Sequence, residues 1–175
     1  MSQTIRYELL AGRIVISDVR RFLTALDEIA RSYQTTIQTV DASKIAGRQH
    51  IDYAVNKALK SFEDHSNTAQ NLGVEILLQL SACRQIQKAL ELGIRAGEMG
   101  VIFIVVGAAR PIEETMRELA RLVAPDQGLI EYCEAKRVSL MQMYGITDLE
   151  VAAAGGPHNI PALIRERIAL FNAFK

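Results

Sequence analysis

The sequence predicts an α+β fold in which a small mixed sheet of about four strands is surrounded by about seven helices. Three observations support this class. The chain opens with an alternating segment typical of a hairpin, one later segment is an uninterrupted apolar run, and most of the remainder has helical periodicity. At 175 residues the chain is long enough for a substantial core, and we expect one domain spanning residues 1–175.

The predicted strands differ in pattern. Residues 4–10 and 13–16 are expected to form an antiparallel hairpin, because Ala11 and Gly12 stand between them as a tight turn. Residues 35–40 alternate between polar and apolar and form a third strand. Residues 101–106, VIFIVV, predict a central strand covered on both faces.

Helical periodicity accounts for most of the other segments. Helices are predicted after Ser17, over 50–62, in two parts of 67–94, after Pro111, over 129–143 with an end at Gly145, and from Pro161. Within 67–94, Ser81 is expected to cap the second helix and Gly93 to end it in a left-handed conformation. The predicted apolar stripe of that second helix is Ile86, Ala89 and Leu90.

Composition excludes several classes of protein. Twenty basic residues balance twenty acidic ones, so any nucleic-acid contact must come from a local patch. Aromatic residues are only 6% and tryptophan is absent, which disfavours a base-stacking sheet surface. The apolar run at 101–106 is too short to span a bilayer, and no signal-peptide pattern opens the sequence. We therefore expect a cytoplasmic protein with free thiols.

Catalytic and metal-binding patterns are missing from the sequence. The three histidines stand at no metal-ligand spacing, so we predict no metal and no cofactor. Glu75, inside the apolar run VEILL, is interpreted as a structural carboxylate rather than a catalytic one. Gly107 lies between an apolar strand and a helix, and we favour a plain turn over a phosphate site there. The chain is therefore expected to be a binding protein rather than an enzyme.

A set of short motifs in the middle of the chain resembles a known family. They are Val74 to Leu78, Ser81, Arg84 to Ile86, Ala89 and Gly93-Ile94, preceded by His50-Ile51, Ala54 and Asn56 to Ala58. In order and spacing they are similar to the kinase-binding subunit of KEOPS, the family of the p53-related-protein-kinase-binding protein. The alanine- and glycine-rich segment 152–156 departs from the family pattern.

The resemblance implies a function that composition does not show. KEOPS installs the threonylcarbamoyl group on adenosine 37 of tRNA. The family resembled here is non-catalytic, binds the small lobe of the kinase-like ATPase subunit, and helps to recruit tRNA through its 3′ CCA end. The implied partners are thus the kinase-like subunit and tRNA, with no membrane and no small-molecule substrate. The implied location is cytoplasmic, and nuclear as well if the protein is eukaryotic.

Local clusters of basic residues are the candidates for RNA contact. They are Arg84, Lys88, Lys57, Lys60 and Arg48. If the helices that carry them pack side by side, these residues form a basic groove; otherwise they are ordinary solvated faces. Arg84 stands out because it is expected near a helix N-terminus, where the helix dipole disfavours a cation. It therefore requires either a carboxylate such as Glu75 or a phosphate.

The last helix is our candidate for the kinase-binding surface. Its expected core stripe is Ile160, Leu163, Ile164, Ile168 and Phe171. Additional apolar residues extend beyond one stripe, and exposed apolar patches often mark interfaces. The predicted partner-binding residues are Leu163, Arg167, Leu170, Phe171 and Phe174. Burial of this helix on all sides is the competing interpretation.

Two further functions stay open: a small nucleotide-binding enzyme that uses the turn at Gly107, and a scaffold with no RNA contact.

Overall fold

The computed structural model describes residues 5–173 and has the predicted α+β fold. The strands are β1 (Arg6–Ile16), β2 (Thr36–Asp41), β3 (Gly97–Gly107) and β4 (Ala124–Pro125). The α-helices are α1 (Val19–Tyr33), α2 (Arg48–Glu63), α3 (Leu72–Ser81), α4 (Ile86–Ala89), α5 (Ala109–Ala120), α6 (Arg137–Tyr144), α7 (Asp148–Ala153) and α8 (Ile160–Ala173). Short 3-10 turns cover Ala42–Lys44, Leu90–Leu92, Gln127–Ile130, Glu134–Lys136 and Pro157–Asn159.

The chain divides into two compact units. The first, the sheet unit, comprises Met1–Ala42 and Gly93–Leu129 and holds the strands with α1 and α5. The second, the helical unit, comprises Ser43–Leu92 and Ile130–Lys175 and holds the remaining helices. The organisation of residues 1–175 as one domain stays a prediction.

The sheet has four strands in the order β2-β3-β1-β4, and all of its pairings are antiparallel. The predicted number of strands is confirmed, but the predicted mixed sheet is wrong. The predicted hairpin is wrong as well, because residues 6–16 form the single strand β1. This strand pairs with β3 along its whole length, from Arg6 opposite Gly107 to Ile16 opposite Gly97. Residue 4, the first of the predicted hairpin, lies outside the described residues.

Gly12 explains why the hairpin prediction failed. A Cβ at this position would lie 2.6 Å from a methyl group of Val123 and 2.7 Å from the carbonyl oxygen of Ala124. Glycine is therefore needed inside β1 because β4 approaches the strand closely, not because the chain turns there.

The prediction for residues 101–106 is confirmed. They form the middle of β3, which lies between β2 and β1, and every one of them is buried. One face of the strand joins the main cluster of the sheet unit, which is composed of Leu10, Ile16, Leu26, Met99, Val101, Phe103, Val105, Ile112, Leu119 and Val123. Ile102 and Ile104, on the opposite face, are fully buried too.

The helical unit is built on α2, α3, α6 and α8, which contact one another. The predicted stripe of α2 is largely confirmed: Ile51, Ala54, Val55 and Ala58 have no exposed surface. Helix α6 ends before Gly145, which has the left-handed conformation expected of a C-cap (φ 60°). Much of the long helix predicted over 129–143 is instead 3-10 turn and loop. Within the described residues, no helix is long and apolar enough to cross a membrane.

The second half of the predicted helical pair differs from expectation. Ser81 is the last residue of α3, where its hydroxyl donates to the Leu78 carbonyl at 3.1 Å, so it does not cap the next helix. The left-handed residue is Ala82 (φ 49°) and not Gly93. Helix α4 has only four residues, too few to bury a full stripe: Ala89 is buried, whereas Ile86 and Leu90 are 50% and 55% exposed.

Candidate functional site

The helical unit contains an open cleft of about 580 Å³, which we call the lysine cleft. Its lining residues are Lys57, Lys60, Ser61, Asp64, Ser66, Thr68, Arg84 and Asn172. Three of the five predicted RNA-binding residues, Lys57, Lys60 and Arg84, thus line one cavity. The lining thus combines three basic residues and three hydroxyl-bearing residues with one acidic residue, Asp64, and this excess of positive charge suits a phosphate-bearing chain.

Helix α2 provides one wall of the lysine cleft. Lys57 and Lys60 are three residues apart, so they project from the same face of the helix. The ammonium group of Lys57 lies over the ring of Tyr53, 5.5 Å from its centroid, which restrains the side chain. Lys60 is exposed near the end of the helix.

Glu75 shapes the segment that carries Thr68. This carboxylate is fully buried and accepts hydrogen bonds from the backbone N–H groups of Thr68 (2.9 Å) and Ala69 (2.8 Å). The Ser61 hydroxyl and the Gln79 amide also donate to it, both at 3.3 Å. Four donors compensate the desolvation of the charge. The carboxylate therefore has the structural role predicted from the sequence.

A chain of polar groups continues from Glu75 to helix α8. The buried Gln79 accepts a hydrogen bond of 2.8 Å from the Asn172 side chain, which also donates to the Ile168 carbonyl at 2.8 Å. Asn172 lines the lysine cleft and is not among the residues predicted from the sequence. The only signal was an amide within the otherwise apolar stretch ALFNA.

Arg84 precedes α4 instead of lying in its first turn, because Gln85 is the N-cap residue. Its guanidinium group lies over the ring of Phe171, 5.9 Å from the centroid. Arg84 also lines a second, smaller cavity of about 320 Å³, which we call the arginine groove. The other residues of the arginine groove are Ala82, Arg167, Leu170 and Phe171.

The other two predicted RNA-binding residues line neither cavity. Arg48 opens α2 and forms an ion pair with Asp52 at 3.6 Å. It stands twelve residues before Lys60, about 18 Å along the helix axis. Lys88 is exposed on α4. Their roles in RNA binding stay predictions.

Helix α8 buries Ile160, Ile164 and Ile168, whereas two other members of its predicted stripe, Leu163 and Phe171, are only half-buried. Leu170 is 47% exposed, so the helix is not buried on all sides. The predicted residue Phe174 lies outside the described residues. The assignment of this helix to partner binding stays a prediction.

Arg167 is held by two residues that were not predicted from the sequence as its partners, Glu150 and Tyr144. Its guanidinium group binds the Glu150 carboxylate and donates to the Tyr144 carbonyl at 3.5 Å. Glu150 belongs to α7, where it forms a capping box with Thr147. The hydrogen bond from Arg167, aided by those from Thr147, lowers the pKa of Glu150 to about 2. The pattern T-D-L-E was the overlooked signal.

Helices α2, α3 and α6 are joined by a buried cluster around His50. The Nδ1 atom of His50 accepts from the Ala46 N–H at 3.2 Å, so Nε2 carries the proton and donates to the Leu80 carbonyl at 3.0 Å. The Tyr144 hydroxyl lies 3.0 Å from the same carbonyl oxygen and 3.3 Å from Nε2. Burial lowers the pKa of His50 to about 4 and raises that of Tyr144. We assign this cluster a structural role.

The alternative site at Gly107 has a structural explanation without a ligand. A Cβ there would lie 3.1 Å from the Thr35 methyl group, so close packing within the sheet unit favours glycine. Across residues 5–173, no group of three or more His, Cys, Asp or Glu side chains is arranged to hold a metal ion.

Comparisons with known proteins identify the family. No curated protein matches the sequence. The sequence does match the family described as kinase binding protein CGI-121, over residues 4–171. This match covers nearly the whole chain, including most of α8 and every residue of the lysine cleft except Asn172. The chain therefore belongs to the CGI-121 family of kinase-binding proteins, the family of the KEOPS kinase-binding subunit.

Proposed function

We propose that this protein is the non-catalytic subunit of KEOPS that binds the kinase-like ATPase and helps to recruit tRNA for threonylcarbamoylation of adenosine 37. The observation that carries the proposal is the family match over residues 4–171. The resemblance of the central motifs to the KEOPS subunit supports the choice of this kinase-like partner. The site of action is then the cytoplasm, and the nucleus as well in a eukaryote.

The lysine cleft supports the tRNA part of the proposal. The 3′ CCA end of tRNA is single-stranded, and its phosphates are recognised by cations in a groove that follows the backbone. Lys57, Lys60 and Arg84 provide three cations in one cavity, which Asp64 offsets by one negative charge. Its volume of about 580 Å³ is in the range of small-ligand sites and suits a short stretch of nucleotides.

The exposed side of α8 supports the kinase part of the proposal. Leu170 and Phe171 border the arginine groove together with Arg84 and Arg167. Arginine and aromatic residues are enriched among interface hot spots, and an exposed leucine beside them extends the apolar contact area. We assign the kinase-like subunit to this surface.

Co-purification with the kinase-like subunit tests the proposal. The tagged protein is expressed with that subunit, and the complex is purified and analysed by size-exclusion chromatography. We expect a stable complex that shifts the mobility of tRNA carrying CCA more than that of tRNA lacking it. Absence of the complex would contradict the kinase assignment. A complex that treats both tRNAs alike would favour the scaffold function.

A further inference from the structure

Arg84 lines both the lysine cleft and the arginine groove. It contributes to the lysine cleft together with Lys57 and Lys60, and to the arginine groove together with Leu170 and Phe171. One residue therefore forms part of the wall of two sites for which the proposed function names two different ligands.

Phe171 is positioned to orient this shared side chain. The guanidinium carbon of Arg84 lies 5.9 Å from the centroid of the Phe171 ring. A cation over the face of an aromatic ring is attracted by the quadrupole of the ring, so Phe171 restrains where the Arg84 guanidinium group lies. Whatever covers or displaces the Phe171 ring will therefore change how Arg84 is presented to the lysine cleft.

A second connection joins the same helix to the cleft. Asn172, the residue after Phe171, lines the lysine cleft and donates to Gln79. Gln79 donates to Glu75, which in turn holds the backbone N–H of Thr68. The end of α8 is thus connected to the lysine cleft through the cation–π contact between Arg84 and Phe171 and through a chain of hydrogen bonds.

We propose that the Arg84–Phe171 pair couples the two sites, so that the kinase-like subunit bound at the arginine groove tightens RNA binding in the lysine cleft. This inference rests on the proposed function. A partner that covers Phe171 excludes water from around the Arg84 guanidinium, and the lower local dielectric strengthens its attraction for phosphate. By linkage, RNA must tighten binding of the kinase-like subunit by the same factor.

The test measures binding of a short single-stranded RNA that ends in CCA. Its dissociation constant is determined for the full chain alone and for the chain saturated with the kinase-like subunit. The kinase-like subunit is also titrated alone, so that its own RNA binding can be subtracted. We expect the affinity of the parent chain to rise at least about fivefold in the complex, the lower end of typical coupling.

Four variants identify the pair as the source of the coupling. The affinity ratio is the RNA affinity of the complex divided by that of the chain alone. Phe171→Leu and Arg84→Gln should each bring this ratio close to one, whereas Phe171→Tyr, which keeps the ring, should retain the parent ratio. Lys60→Ala should weaken RNA binding in both states and keep the ratio. If Phe171→Leu no longer binds the kinase-like subunit, Arg84→Gln decides the question because it leaves the ring in place.

Two kinds of failure can be told apart. If the parent binds both ligands with a ratio of one, or if Arg84→Gln keeps the parent ratio, the coupling is wrong and the proposed function stands. If the parent binds no RNA or no kinase-like subunit, the proposed function is wrong and the coupling is wrong with it.

Discussion

The side-chain carboxylate of Glu75 accepts a hydrogen bond of 2.8 Å from the backbone N–H of Ala69. Because this carboxylate is fully buried and accepts hydrogen bonds on both oxygens, replacing one oxygen by an NH₂ group sets a donor against other donors whichever way the amide is turned. We expect Glu75→Gln to reduce the free energy of unfolding by about 2 kcal/mol, the usual cost of an unsatisfied buried group. Urea unfolding measures this loss. The exposed control Glu91→Gln should be neutral, and an equally neutral Glu75→Gln would contradict the structural role.

Gly12 gives a second prediction, about the sheet. Gly12→Ala places a Cβ 2.7 Å from the Ala124 carbonyl oxygen, so the two strands must separate. We expect a loss of about 1–3 kcal/mol in thermal or urea unfolding, as for overpacked cores. Gly100→Ala is the matched control in the same sheet. Its new Cβ meets side-chain atoms, the methyl groups of Leu129 at 3.2 and 3.3 Å and the Cβ of Ala42 at 3.4 Å, and no backbone atom is among these three nearest neighbours. Equal losses for the two variants would show that β4 does not press on Gly12.

The buried His50 makes stability depend on pH. Burial, with smaller contributions from the charges of Arg165 and Lys136, outweighs the Leu80 hydrogen bond and lowers the folded-state pKa from 6.5 to about 4. Between these values the unfolded chain binds more protons, so stability falls as the pH drops below about 6.5 and this loss levels off below about 4. The full loss amounts to roughly 3 kcal/mol.

Urea unfolding between pH 4 and 7 measures this dependence. His50→Gln should flatten the pH profile relative to the parent, whereas the control His158→Gln, at an exposed position, should leave it unchanged. A His50 ring signal that titrates near pH 6.5 in an NMR experiment would contradict the assignment.

The elements predicted correctly carry strong local patterns. The apolar run at 101–106 and the apolar stripe of α2 predict buried residues from the local sequence alone, without knowledge of the neighbouring elements. The predictions that were wrong concern residues whose environment is set by contacts with residues distant in sequence, or by where a helix ends. Gly12 appeared to mark a turn because its close neighbour Val123 lies more than a hundred residues away in the chain. The stripe at Ile86 and Leu90 was misleading because α4 ends after four residues.

The candidate site was predictable in part. Lys57 and Lys60 are three residues apart in a segment with strong helical periodicity, so the sequence predicts that both project from the same face of the helix. Arg84 and Asn172 join them only through the packing of α2, α3 and α8, which no local pattern encodes. The same packing brings Phe171 under Arg84 and leaves Arg48 and Lys88 outside the cleft.

Leu170 tests the surface assigned to the kinase-like subunit. Because Leu170 is 47% exposed, Leu170→Glu should leave the chain folded by circular dichroism while removing the kinase-like subunit in a pull-down. Ala169→Glu is the matched control, since it introduces the same charge at an exposed position of α8 one residue away and should bind like the parent. A folded Leu170→Glu variant that still binds would direct attention to helix α1.

The affinity for tRNA with and without its 3′ CCA end tests the central claim most directly. We expect the parent to bind CCA-ended tRNA more tightly, and Arg84→Ala to lose more of this affinity than Lys60→Ala because arginine offers a bidentate fork. Loss of one phosphate contact on a single strand should also reduce the log–log salt slope by about 0.7. The control Arg121→Ala, which removes the same charge from the sheet unit, should bind like the parent. Equal affinity for both tRNAs, together with an Arg84→Ala variant that binds like the parent at low and moderate salt, would contradict the account.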